Sequence, residues 1–149
     1  MSIEFKENNK RLLFDVLGYE FPHIKKDCDS YDANWLTVSI SYADPNLSFN
    51  DRDNCLLSFE LEQMTEAIDA IAEGKETGTI QTFLEPYLTF SVTGTGSGYA
   101  FQIRFVYDTA DGIWKDVYIC QEMSLSELIE MNNEFKAIYA KYPCRETEK

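Results

Sequence analysis

Residues 35–42 read WLTVSISY, and their alternation decides what kind of fold this chain can adopt. Leu36, Val38, Ile40 and Tyr42 fall on one side, with Trp35, Thr37, Ser39 and Ser41 on the other. A period of two is the mark of a strand with one buried face and one half-wet face. Upstream, RLLFDVLGY at 11–19 places Leu12, Phe14 and Val16 on one face and Leu13, Leu17 and Tyr19 on the other, which predicts a strand covered on both sides. Between the two strands, FPHIKKDCDSYDAN is a polar connection broken by Pro22. Downstream, ADPNLSFNDRDN is expected to be a loop holding at most a short strand, followed by the brief apolar run CLLSF.

The period then changes. Leu61, Met64, Ile68, Ile71 and Ala72 form a stripe at helical spacing over about 60–73, with Gly74 placed as the residue just past the helix end. Residues 80–92 and 98–107 are predicted strands joined by TGTGSG. In the second, Tyr99, Phe101, Ile103, Phe105 and Tyr107 share a face. Asp111-Gly112 suits a hairpin leading into a strand at 113–120. A second helix is predicted over 125–142, opened by a Ser124/Glu127 capping box and ended by Pro143. Its buried face is marked by Leu128, Met131, Phe135, Ile138 and Tyr142. Two helices are too few to cross over between six or seven parallel strands. The expected class is α+β, a mostly antiparallel sheet of six to seven strands with two amphipathic helices, in one domain spanning 1–149.

Composition narrows the function. The 149 residues are 44% hydrophobic and 14% aromatic, enough for a packed core. No apolar run approaches the roughly 18 residues of a membrane span, and the N-terminal MSIEFKENNKRLL lacks an export signal. A cytoplasmic protein is expected. Cys28, Cys55, Cys120 and Cys144 are scattered singly, with no C-x-x-C pair for zinc or redox chemistry. The net charge is −13. Between Asp27 and Glu85 stand thirteen acids and only two bases, Arg52 and Lys75. Such a chain is repelled by nucleic acid and anionic membranes and attracted to basic partners.

Catalytic patterns are missing. The one histidine, His23, sits in a polar stretch beside Pro22, and no serine or cysteine has a nucleophile context. TGTGSG links strand to strand, without the helix N-terminus that a phosphate loop requires. DCDSYD and NDRDN could be assembled into a calcium site, but the EF-hand glycine and terminal glutamate are absent. Neither an enzyme nor a cofactor is indicated. On the first helix Glu62, Glu66, Asp69 and Glu73 follow an i, i+4, i+7, i+11 progression. They fall within about 40° of one line, opposite the apolar stripe. Like charges at this spacing each cost a few tenths of a kcal/mol, so the row is either a solvated face or a docking ridge for a basic partner.

GYEFP at 18–22, YDANWLTVSI at 31–40, CLLSFELEQMTEAIDAIAEGKE and FLEPYLTFSV together resemble the WapI-type immunity proteins of bacterial polymorphic toxin systems. The resemblance runs from about Gly18 to Val92. It is carried by Phe21-Pro22, by Asp32, Asn34, Trp35 and Leu36, by Leu56-Leu57, and by Glu85-Pro86. It departs at Tyr87, where asparagine or aspartate is expected, and in the extra acids at 27–29. The resemblance implies an antidote that binds and blocks a cognate toxin C-terminal domain, in many systems a nuclease with a basic groove. Asp32 and Asn34 are expected to fix the turn before Trp35, and Glu85-Pro86 to shape the next strand edge. Partner binding is expected at Asp27, Asp29 and Asp32, at Asp51 and Asp53 in a second loop, and along the Glu62, Glu66, Asp69 and Glu73 row. The alternative is a small-molecule or metal-binding regulatory domain with an apolar pocket beside the sheet.

Overall fold

The computed structural model describes residues 2–24, 29–83, 87–108 and 114–146. Among them are eight strands: β1 Ile3–Glu7, β2 Lys10–Tyr19, β3 Trp35–Asp44, β4 Leu47–Leu57, β5 Gly78–Thr82, β6 Leu88–Thr95, β7 Gly98–Asp108 and β8 Trp114–Met123. Helix α1, Ser58–Ala72, lies between β4 and β5, and α2, Leu125–Lys141, follows β8. The chain is α+β and antiparallel throughout, but it builds two four-stranded sheets, β1-β2-β3-β4 and β5-β6-β7-β8, in place of one sheet of six or seven strands.

Two strands escape the hydrophobic pattern because their turns are polar. Asn8, at φ 52°, turns β1 into β2, with Glu7 paired to Lys10. Asp44 pairs with Leu47 across Pro45-Asn46, and its Oδ1 accepts from the Asn46 amide at 2.7 Å. The stretch expected as a loop at 43–54 is therefore mostly strand β4. The predicted strand at 80–92 divides into β5 and β6, whereas TGTGSG makes the hairpin turn between β6 and β7, with Thr95 opposite Gly98. β2 is not covered on both sides: Leu12, Phe14 and Val16 are buried and Leu17 is exposed. The Asp111-Gly112 turn and Glu85-Pro86 lie outside the described residues.

Strand β4 runs straight into α1. Leu57 occupies the N-cap and has no polar side chain to offer; Glu60 Oε1 instead accepts from the Leu57 amide at 2.9 Å, and the Asn34 carbonyl takes the Ser58 amide. Gly74, at φ 77°, closes the helix, donating to the Ile71 carbonyl in the left-handed conformation that favours glycine. In α2 the Ser124/Glu127 capping box is formed. The inner faces of both sheets and both helices share one core, centred on Phe5, Phe14, Phe90, Phe101 and Phe135. Side chains also bridge β1 and β8: Gln121 Oε1 accepts from the Lys6 amide at 2.9 Å, and Glu7 Oε1 from the Cys120 amide at 3.1 Å.

Candidate functional site

At one end of the first sheet, β2, the loop leading into β3, α1 and the C-terminal tail meet. The register slips between Val16 and Gly18 on β2 and between Leu36 and Val38 where β3 meets β4. Such bulges twist a sheet locally and are common beside functional surfaces. Asp29 Oδ1 accepts from the Asp32 amide at 2.7 Å, so Asp29, more than Asp32, shapes the turn. Asn34 is 1% exposed and fully used. Its Nδ2 donates to the carbonyls of Ser30 and Arg145, and its Oδ1 accepts from the Arg145 amide at 2.7 Å.

Arg145 returns from the tail to fasten both family-like stretches. Its guanidinium donates to the carbonyls of Phe21, Pro22 and Ala33 and lies 3.6 Å from the centre of the Tyr19 ring. Tyr19 donates its hydroxyl to the Pro143 carbonyl, and Ser58 Oγ donates to the Tyr142 carbonyl at 2.6 Å. Arg145 thus ties the backbone at Phe21, Pro22 and Ala33 to the tail. Phe21 and Tyr31 are among the exposed aromatic residues, and the Tyr31 ring leans on Phe59 in the first turn of α1.

The acids divide into two groups. Glu20, Asp32 and Asp53 converge: burial, then the charges of Asp32 and Asp53, push the Glu20 carboxyl above its ordinary range. Glu20 escaped sequence reading, although it stands inside GYEFP; its significance depends on Asp53 arriving from β4. Asp51 and Asp53 are strand residues, opposite Ile40 and Val38, and do not lie in a loop. Asp51 Oδ1 accepts from the Arg52 amide. Asp29 and Asp32 are exposed, and Asp27 lies outside the described residues.

The row on α1 is partly compensated. Asp69 Oδ1 holds Lys136 Nζ at 2.8 Å and Asn132 Nδ2 at 3.0 Å, both from α2. Glu73 pairs with Lys75 at 2.8 Å. Tyr139 donates its hydroxyl to Glu62, which together with burial pushes the tyrosine's pKa up. Glu66 is exposed and has no ion-pair partner among the described residues. Glu62 and Asp69 therefore turn toward α2, and the row is not the unbroken ridge that helical spacing alone predicts. Glu66 does lie on the Phe59 side of the helix, since seven residues bring the chain round by two turns.

No group of three histidine, cysteine, aspartate or glutamate side chains is arranged to hold a metal among the described residues. Nor is any described helix long and apolar enough to cross a membrane. The exposed side chains at this end include the acids Asp29 and Asp32 and the aromatic rings of Phe21 and Tyr31. The model of a protein family described as the immunity protein WapI-like family matches residues 2–143. No curated protein matches the chain.

Proposed function

The chain belongs to the WapI-like immunity protein family, and from that membership we propose that it neutralises a cognate toxin domain in the cytoplasm by binding it, without catalysis. The observation that carries this reading is the convergence of Glu20, Asp32 and Asp53 beside exposed Phe21 and Tyr31. Aromatic residues supply desolvated contact area at low entropic cost, and the acids steer a basic partner into place.

The partner best suited to such a surface is a basic nuclease. Its substrate groove is built for phosphates, and carboxylates presented on this surface can occupy those positions. Glu66 extends the negative field along α1. The exposed ion pairs of Asp69 and Glu73 contribute little to stability and can exchange partners on binding. Co-expression with the toxin encoded beside this chain should rescue growth and yield a stoichiometric complex on gel filtration. Absence of both rescue and complex would refute the proposal.

A further inference from the structure

Among the described residues, β4 and β5 are each paired on one side only. The other two edge strands, β1 and β8, lie against each other through the Lys6–Gln121 and Glu7–Cys120 bonds, and the two remaining edges differ in chemistry. β4 carries Asp51, Arg52 and Asp53, charges that discourage a free edge from pairing with another chain. β5, GTIQT, has no charge, no proline and no register slip against β6. Its Ile80 is 70% exposed, more than any other large hydrophobic residue described, and stands opposite Ser91 without an apolar cross-strand companion.

An open, shallow groove of about 610 Å³ lies over β5 and the adjoining end of β6, lined by Thr77, Gly78, Ile80 and Gly94 among others. It shares Thr77 and Gly94 with a further cavity of about 450 Å³ that reaches Ile71, Gly74 and Tyr99 at the end of α1. Small residues keep the floor low. A Cβ on Gly78 would stand 2.9 Å from the Val92 carbonyl oxygen, and one on Gly94 3.3 Å from that of Thr77. The far end is negative, because α1 has no basic residue in its last turn to offset its carbonyl end. Glu76 lines the cavity there. Lys75 is nearby and pairs with Glu73.

We infer that the β5 edge pairs with an extended segment of the toxin, which places an apolar side chain against Ile80 and a lysine or arginine in the groove near Glu76. The inference rests on the toxin-binding function proposed for the chain and adds its mode: main-chain pairing for affinity, with side-chain pockets for specificity. A second copy is the poorer occupant, since β5 pairing with β5 would bring together two chains of net charge −13.

The test uses the toxin domain encoded beside this chain, in a catalytically inactive form. On complex formation the amides of Gly78–Thr82 should exchange at least tenfold more slowly. Ile80→Lys should raise the dissociation rate at least tenfold while leaving the melting temperature of the free protein unchanged. A complex that forms with unaltered β5 exchange and an unaltered Ile80→Lys dissociation rate overturns the edge inference and leaves the immunity function standing. Failure of the unmodified chain to form any complex overturns both. A dimer of the chain alone that Ile80→Lys abolishes also overturns the inference, because the edge then belongs to a second copy.

Discussion

Arg145 Nε donates to the carbonyl of Ala33 at 2.7 Å, tying the C-terminal tail to the turn that launches β3. The same guanidinium reaches the carbonyls of Phe21 and Pro22 and covers the Tyr19 ring. Arg145→Ala leaves three carbonyls without this donor and should cost about 1–3 kcal/mol. Arg145→Lys should recover only a small part, since a point charge cannot reproduce a planar fork of donors. Urea melts would measure the loss, and hydrogen exchange should localise the loosening to residues 29–34. Equal stability of Arg145→Ala and the parent would show that the clasp is idle.

Asn34 is the buried counterpart of that clasp. Asn34→Asp keeps the acceptor for the Arg145 amide but loses both donors, leaving a carboxylate against the Ser30 and Arg145 carbonyls. A loss of about 2–4 kcal/mol is expected at neutral pH, from unpaired buried groups and a poorly solvated charge. Asn34→Ser should cost less. Chemical denaturation of the two variants checks the order.

The centre of the core permits a sharper test of the fold. Phe135 is fully buried, with ring centroids of Phe5, Phe14, Phe90 and Phe101 between 5.4 and 6.4 Å away. Phe135→Ala removes contacts to both sheets and should cost about 3–5 kcal/mol, whereas Phe135→Leu should cost distinctly less. A small loss for the alanine variant, read from the denaturation midpoint, would mean that α2 is not the element joining the sheets.

How far these features are legible in sequence depends on whether their cause is local. WLTVSISY and the apolar stripe of α1 carry their own periods, so β3 and both helices are readable within a few residues. β1 and β4 are not, because Asn8-Asn9 and Pro45-Asn46 turn the chain within polar surroundings and β4 alternates polar residues along a free edge. The division into two sheets has no local signal: it depends on which strands pair across long separations. The site follows the same rule. Aspartates of the turn are visible as residue types, but Glu20 gains its neighbours only when β4 folds back. Arg145 reaches Ala33 across more than a hundred residues. Helical spacing places Glu62, Glu66, Asp69 and Glu73 in one row, but the arrival of Tyr139, Asn132 and Lys136 from α2, which divides that row, is a tertiary event.

The proposed binding surface predicts a kinetic effect of charge. Asp32→Lys with Glu66→Lys reverses two exposed acids, one beside Tyr31 in the turn and one on α1. Association with the toxin should slow by about tenfold at low salt, and the dependence of the rate on ionic strength should flatten. Thermal stability should stay close to the parent's or rise slightly, since both sites are exposed and Asp32→Lys removes a charge that repels Glu20. Stopped-flow association at several salt concentrations decides the matter; unchanged rates would remove these acids from the encounter surface.

Glu20 sets stability against binding. Its carboxyl is raised above the ordinary value of 4.5 by burial and by the charges of Asp32 and Asp53. The folded state therefore holds the Glu20 proton more tightly than the unfolded state does. This contribution favours folding at low pH and diminishes as pH rises through the ordinary value and then the raised one. Above that window the ionised carboxylate is a standing cost that Glu20→Gln removes. The variant should match the parent below pH 4 and become progressively more stable than it toward neutrality, with the difference then level. Glu4, Asp44 and Glu127, all held below the usual carboxylate range by their hydrogen-bond partners, act in the opposite sense. They are common to both proteins and cancel in the comparison. Toward the toxin the sign reverses: a cationic partner offsets the repulsion that Asp32 and Asp53 exert on the ionised Glu20, so Glu20→Gln should bind more weakly at neutral pH while being the more stable protein. Thermal melts across pH 3–8, paired with titrations of the complex, would test both halves. A variant that gained stability without losing affinity would place Glu20 outside the contact surface.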